Sequence, residues 1–137
     1  LAEKVIKRFG SDLKGKRFAI WGLSFKPETD DMREAPAVVI IERLLECGAS
    51  IVTYDPESME TAKVILEDRV RFADSPMDAA EQADALLLVT EWNEFRNPIW
   101  EDLKERLVHP IIFDGRNIYD PAEVRQAGFE YFSIGRR

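Results

Sequence analysis

Three basic side chains lie in two polar segments that could bind an anion. Lys26 and Arg33 fall within the segment 22–34, and Arg116 falls within the segment 114–119. A lysine ammonium binds phosphate as a compact point charge, whereas an arginine guanidinium can donate two parallel hydrogen bonds to one phosphate. The two segments therefore predict a site for a phosphate-bearing ligand.

Acidic neighbours give each of these cations an alternative partner. The segment that holds Lys26 and Arg33 also holds four acidic residues: Glu28, Asp30, Asp31 and Glu34. Arg116 likewise follows Asp114 by two residues. Surface ion pairs of this kind contribute little to stability and are common. The spacing alone leaves both interpretations open, anion binding and surface pairing.

Residues of other reactive types are isolated in the sequence. Cys47 ends an apolar helical pattern directly before Gly48, which predicts a small buried apolar side chain rather than a nucleophile. His109 has no cysteine, histidine or carboxylate at metal-ligand spacing. The sequence also lacks a glycine-flanked serine and a P-loop. We therefore predict a binding domain with no catalytic residue and no metal site.

Alternating strand and helix patterns must position these segments. Strand patterns cover 17–21, 50–54, 69–72, 85–89, 111–113 and 131–133. Helical patterns cover 1–9, 36–47, 56–67, 76–82, 100–107 and 121–127. Strict alternation favours right-handed crossovers, and the wholly apolar run 85–89 is typical of a central strand covered on both faces. The predicted fold class is α/β, a Rossmann-like doubly wound, mostly parallel six-stranded sheet with helices on both faces. Ligands bind beyond the carboxyl ends of such strands, where both cationic segments begin.

The glycine count disfavours a dinucleotide site at this edge. Such a site uses three glycines in the first strand-to-helix turn, but this turn contains only Gly22. Asp55 closes the second strand, where a ribose-binding acid would lie, and is interpreted as the cap of a helix that begins at Pro56. Trp92 and Phe95 are expected to pack over the sheet edge, with stacking on a base as the alternative.

Composition restricts the classes of partner. The chain has 137 residues, 45% of them apolar, and a formal net charge of −7, which disfavours nucleic acid as a partner. No apolar run approaches the roughly 20 residues that span a bilayer, so no membrane partner is expected. The single Cys47 and the lack of a signal-peptide pattern favour a cytoplasmic location.

Three motifs strongly resemble the carboxyl-terminal domain of the UDP-glucose/GDP-mannose dehydrogenases. They are GLSFKPETDDMREAP at 22–36, TEWNEF at 90–95 and DGRN at 114–117. The resemblance implies a three-part enzyme in which residues 1–12 end a central helical region and residues 13–137 form the UDP-binding domain. The amino-terminal domain would bind NAD, and a catalytic cysteine in the central part would support two oxidations of the sugar C6 alcohol to a carboxylate. Cys47 does not match that cysteine, so this chain alone is expected to be inactive.

The resemblance also implies roles for individual residues. Phe25, Lys26 and Arg116 match residues that bind the UDP-sugar, and Arg33 matches one that reaches NAD across the interdomain cleft. Pro27 and the DGRN motif favour UDP-glucose or UDP-glucuronate as the bound partner, in a full-length homodimer. GDP-mannose and UDP-N-acetylamino sugars remain alternatives.

Two unrelated classes share the predicted architecture. A flavodoxin-like or receiver module would need an acidic pair directly after the first strand to hold Mg²⁺, but Gly22-Leu23-Ser24 occupies that position. A small self-sufficient NAD-binding protein would need the glycines that are missing. The sequence therefore favours neither class.

Overall fold

Six strands and six α-helices alternate along the part of the chain that the computed structural model describes, residues 1–24 and 36–134. The strands are β1 (Arg17–Trp21), β2 (Ser50–Tyr54), β3 (Arg71–Phe72), β4 (Ala85–Leu88), β5 (Ile111–Asp114) and β6 (Glu130–Ser133). The helices are α1 (Ala2–Phe9), α2 (Pro36–Glu46), α3 (Met59–Leu66), α4 (Pro76–Ala80), α5 (Trp100–Arg106) and α6 (Pro121–Gln126). Two 3₁₀ turns, Glu67–Arg69 and Asn93–Phe95, complete the regular structure of these segments.

The six strands form one fully parallel sheet in the order β3-β2-β1-β4-β5-β6. This confirms the predicted Rossmann-like class. The chain reverses direction across the sheet between β1 and β4, so a topological switch point lies at their carboxyl ends. Flavodoxin-like and receiver sheets have the order 2-1-3-4-5. The receiver-like alternative is therefore wrong.

Two apolar clusters cover the two faces of the sheet. Successive side chains of a strand point to opposite faces, and β1 shows this directly. Phe18 and Ile20 belong to the cluster that contains apolar residues of α1, α2 and α3. Ala19 and Trp21 belong to the cluster built with α4, α5 and α6. Helices therefore cover both faces, which leaves the strand ends as the place where polar loops meet.

Two predicted boundaries differ from the structure. The helix after β2 begins at Met59 rather than at Pro56, because the Asp55 carboxylate accepts hydrogen bonds from the backbone N–H groups of Glu57 and Ser58 and holds a turn there. The third strand is shorter than predicted, because its first part forms the 3₁₀ turn Glu67–Arg69. Both changes lie outside the cationic segments.

The helices in residues 1–24 and 36–134 are short. The longest, α2, has 11 residues. Within this part of the chain no helix has the length and apolar character that crossing a bilayer requires. Their apolar sides instead pack on the sheet.

Candidate functional site

Three loops meet at the carboxyl edge of the sheet, after β1, β4 and β5. The Thr90 hydroxyl donates a hydrogen bond to the carbonyl of Ser24 over 2.6 Å, which joins the β4 loop to the β1 loop. The backbone N–H of Gly115 donates to the carbonyl of Leu88 over 2.8 Å, which joins the β5 loop to β4. These bonds place the start of the 22–34 segment and the 114–119 segment on either side of the loop after β4, residues 89–99, which we call the central loop.

Gly22 allows the close approach between the β1 and β4 loops. Its φ is +98°, in the region that favours glycine. A Cβ atom added there would lie 2.5 Å from Cβ of Thr90, well inside contact distance. Gly22 therefore has a packing role, which agrees with the prediction that this turn is not a dinucleotide fingerprint.

Asp55 organises the β1–β2 side of the edge. Its carboxylate is fully buried and accepts hydrogen bonds from the backbone N–H of Leu23 (2.7 Å) and from the indole N–H of Trp92 (3.2 Å). It also accepts the turn N–H groups of Glu57 and Ser58, each at 2.8 Å. Asp55 is therefore a junction between three loops. The bonds to Glu57 and Ser58 are those expected of a capping carboxylate, and the bonds to Leu23 and Trp92 are additional to that prediction.

Asp114 has the equivalent position on the β5 side. This buried carboxylate accepts hydrogen bonds from the backbone N–H groups of Arg116 (2.9 Å), Ile118 (2.9 Å) and Tyr119 (3.1 Å). It also accepts a hydrogen bond from the hydroxyl of Tyr131 over 2.7 Å. A carboxylate with several N–H donors fixes a tight turn, so Asp114 sets where the backbone of Arg116 lies.

Arg116 lines the cavity at this edge. The cavity has a volume of about 430 Å³ and lies between α2 and the residues that directly follow β4, β5 and β6. Its other lining residues are Leu1, Val39, Ile40, Val89, Gly115 and Ile134. The guanidinium Nε lies 3.7 Å from a carboxylate oxygen of Glu91, in the central loop. A guanidinium beside a largely apolar cavity of this size suits a small ligand that carries phosphate.

The other predicted ligand residues, Phe25, Lys26 and Arg33, lie outside the described residues, so their roles stay predictions. The described residues nearest to them in sequence are informative. Of the described residues that flank the predicted cationic segment, Val39 of α2 lines the same cavity as Arg116, and Ser24 is hydrogen-bonded to the loop that contains Glu91.

The two aromatic residues of the central loop belong to the core. Trp92 is 8% exposed and Phe95 is fully buried, where it stacks on Trp21 with ring centroids 5.2 Å apart. Packing over the sheet edge is thus confirmed for both. Their rings cover the β1–β2 side, where a dinucleotide would need open space.

Asn117 fixes the end of the β5 loop. Its φ is +57°, a conformation that asparagine tolerates better than most residues. Its side-chain amide donates to the carbonyl of Ile134 (2.6 Å) and accepts the backbone N–H of the same residue (3.0 Å). The Asn117 amide therefore joins this loop to the residue that follows β6.

Tyr119 and Tyr131 contribute to the site without having been predicted. The Tyr119 hydroxyl donates to the carbonyl of Phe95, which joins the β5 loop to the central loop. Burial raises the pKa of Tyr119 well above its usual value, with the carboxylate of Asp114 as a further cause. The hydroxyls were missed because their partners are distant in sequence and no local pattern marks them.

Cys47 and His109 lie away from the cavity. Cys47 is half-buried, its thiol accepts from the guanidinium of Arg43 at 3.2 Å, and its carbonyl accepts from Leu13 at the amino edge of the sheet. His109 Nε2 lies 3.8 Å from the carboxylate of Asp84. Among residues 1–24 and 36–134, no group of three histidine, cysteine or acidic residues could hold a metal ion.

Comparison with known proteins identifies the domain. Residues 19–121 match the model of the UDP-glucose/GDP-mannose dehydrogenase family, UDP binding domain. The chain belongs to this family. The matched residues include the last part of β1, the central loop and Arg116, and all of the cavity lining except Leu1 and Ile134. The resemblance drawn from the three sequence motifs is confirmed.

Curated relatives are longer than this UDP binding domain. The chain is 46% identical over 136 residues to a UDP-glucose 6-dehydrogenase of Rhizobium meliloti. The aligned residues make up 99% of this chain and 31% of that protein. It is 42% identical over 140 residues to the UDP-glucose 6-dehydrogenase YwqF of Bacillus subtilis, covering 100% and 31%. The chain therefore spans about a third of the length of these relatives.

Solved structures share the fold of the UDP binding domain. A UDP-glucose dehydrogenase from Pyrobaculum islandicum superposes with a TM-score of 0.79 at 29% identity, covering 96% of this chain and 28% of that one. A UDP-D-ManNAc dehydrogenase from Pyrococcus horikoshii superposes with a TM-score of 0.76 at 31% identity, covering 99% and 29%.

Proposed function

We propose that this chain is the UDP-sugar-binding domain of an NAD-dependent UDP-glucose 6-dehydrogenase. The full-length enzyme, a cytoplasmic homodimer in this proposal, converts UDP-glucose to UDP-glucuronate by two oxidations at C6. The observation that carries the proposal is the position of Arg116, at the wall of a 430 Å³ cavity at the carboxyl edge of the sheet in a family UDP binding domain.

In this proposal Arg116 binds the diphosphate of the substrate. A guanidinium donates two parallel hydrogen bonds to phosphate oxygens, and the apolar side chains of Val39, Ile40 and Val89 beside it keep competing water away. Lys26 adds a second positive charge and Phe25 a contact to the UDP-sugar, as the family resemblance implies. The net charge of −7 means that anion affinity comes from these local groups rather than from the whole domain.

The main NAD site belongs elsewhere in the full-length enzyme under this proposal. Gly22 has no room for a pyrophosphate beside Thr90, and the Asp55 carboxylate is buried under Trp92, so the β1–β2 edge does not fit a dinucleotide. We assign Arg33 the contact to NAD across the interdomain cleft. The boundary between residues 12 and 13 is part of the same proposal, although Val5 of α1 packs in the domain core.

The experiment is a substrate comparison with the full-length enzyme. We expect NAD reduction with UDP-glucose to exceed that with UDP-N-acetylmannosamine or GDP-mannose by at least about ten-fold in kcat/KM, since a mismatched polar group in the pocket costs on the order of 1–3 kcal/mol. Preference for UDP-N-acetylmannosamine would instead favour the alternative suggested by the Pyrococcus horikoshii neighbour. No NAD reduction with any of the three would overturn the proposal.

A variant pair links the activity to this domain. Lys26→Ala is expected to raise KM for UDP-glucose by about ten-fold, because a charge-assisted hydrogen bond contributes on the order of 1.5–3 kcal/mol. Lys14→Ala removes an exposed lysine near the amino edge of the sheet and serves as the control. Equal KM values for the two variants would contradict the assignment of Lys26.

A further inference from the structure

The ion pair between Glu91 and Arg116 joins the central loop to the β5 loop. Glu91 Oε2 lies 3.7 Å from Arg116 Nε, and the two side chains are 34% and 26% exposed. Arg116 lines the cavity, whereas Glu91 is not among its lining residues in the described part of the chain. Glu91 therefore approaches the guanidinium from a side other than the cavity.

The backbone of Glu91 is fixed by both of its neighbours. Thr90 is fully buried and donates its hydroxyl hydrogen bond to Ser24. Trp92 is nearly buried and donates its indole N–H to Asp55. Because hydrogen bonds hold the residues on both sides of Glu91, the backbone of Glu91 has a defined position beside the cavity.

The backbone of Arg116 is fixed in the same way. Its N–H donates to Asp114, and the preceding Gly115 donates to the carbonyl of Leu88. A Cβ atom at Gly115 would lie 2.9 Å from that carbonyl oxygen, so the β5 loop lies directly against β4. An ion pair between two fixed backbones loses less entropy than one between mobile surface side chains.

We propose that Glu91 is a positioning residue that orients the guanidinium of Arg116 toward the diphosphate of UDP. This inference rests on the proposed function of Arg116 and adds a residue to which neither the sequence motif nor the family description gives a role. The Glu91 side chain is 34% exposed and the Arg116 side chain 26%, so solvent screens the repulsion between the Glu91 carboxylate and the diphosphate, while the short ion-pair distance keeps the attraction to the guanidinium. Glu91 acts through Arg116 and does not itself contact the ligand.

The test is UDP binding by the full-length enzyme, measured by titration calorimetry. Glu91→Ala is expected to weaken UDP binding by about three- to five-fold, the effect of a part-exposed ion pair. Glu91→Gln keeps the size of the side chain but removes the charge that attracts the guanidinium. Because the 3.7 Å separation is longer than a hydrogen bond, Glu91→Gln is expected to weaken UDP binding about as much as Glu91→Ala. Glu94→Ala removes another carboxylate of the same loop, whose partner is the hydroxyl of Tyr54 at 3.5 Å, and is the matched control.

A kinetic split separates positioning from general damage to the fold. Glu91→Ala is expected to raise KM for the UDP-sugar by the same factor and to leave kcat unchanged, because the reacting C6 lies in another part of the substrate. An equal fall in kcat, with unchanged UDP affinity, would overturn the inference.

A double-mutant cycle with Arg116→Ala decides whether Glu91 acts through Arg116. In the Arg116→Ala background, Glu91→Ala should have no further effect on UDP affinity. An equal loss in both backgrounds, or tighter UDP binding by Glu91→Ala, would overturn the positioning role. Unchanged UDP affinity in Arg116→Ala alone would instead contradict the proposed function, so the two failures are distinguishable.

Discussion

Two buried carboxylates shape the ligand edge at the scale of single residues. Asp55 directly follows β2 and Asp114 ends β5, and each accepts several backbone N–H groups from the loops around it. Buried charge is costly unless it is hydrogen-bonded in this way. The carboxylates of these two residues therefore fix the geometry of the loops, and Arg116 lines the cavity.

Replacing Asp114 tests this role. Asp114→Asn turns one acceptor oxygen into a donor that faces other donors, and we expect a loss of about 2 kcal/mol in the free energy of unfolding of the 137-residue chain. Asp120→Asn is the control, since Asp120 caps α6 through the N–H of Ala122 and asparagine caps about equally well. Equal stability of the two variants in urea would refute the role of Asp114.

Tyr119 makes the free energy of unfolding depend on pH in the alkaline range. Burial raises the pKa of Tyr119 in the folded chain. A group with a higher pKa when folded stabilises the fold fully below its unfolded pKa, here about 10, and this stabilisation is lost as the pH rises above it. The free energy of unfolding should therefore fall steeply above pH 10.

Tyr119→Phe isolates this contribution. At pH 7 it should cost about 1 kcal/mol, because the Phe95 carbonyl loses its donor. The range from pH 10 to about pH 11 lies just above the pKa of tyrosine in the unfolded chain. In this range the free energy of unfolding should fall less for the variant than for the wild type. The decline need not vanish, since burial also raises the pKa of Tyr54. Parallel pH profiles from urea unfolding would show that Tyr119 does not carry the effect.

At the scale of elements, the β1 and β4 loops pack so closely that only glycine fits at position 22. Gly22→Ala combines a strained φ with a Cβ atom 2.5 Å from Thr90, and we expect a loss on the order of 3 kcal/mol in stability. Gly15→Ala has a similar φ of +83° but open space around the new Cβ. It should cost only about 1 kcal/mol. Similar losses for both variants, measured by urea unfolding, would show that contact with Thr90 contributes nothing.

Element types followed from the sequence because strand and helix periodicities were local. The apolar run 85–89 predicted a central strand, and β4 lies between β1 and β5. The predicted start of α3 was wrong because Asp55 forms a turn with Glu57 and Ser58, and this turn competes with a helix in the same few residues. These bonds are local, but the spacing of residue types does not decide between a turn and a helix at this point.

At the scale of the whole molecule, the candidate site was predictable only in part. Parallel strands place the segments after β1 and β5 at one edge, so the position of Arg116 followed from strand order. The roles of Glu91 and Asn117 did not follow, because their partners lie 25 and 17 residues away on other loops. The side chain of Arg116 reaches the cavity through packing that only three-dimensional structure shows.

The most direct test of the central claim, that this edge binds UDP through Arg116, is a UDP titration of the full-length enzyme. Arg116→Ala should weaken UDP binding by about ten-fold or more. Arg17→Ala removes an exposed arginine at the amino end of β1 and should leave UDP affinity within about two-fold of the wild type. Equal UDP affinities for the wild type and Arg116→Ala would contradict the account.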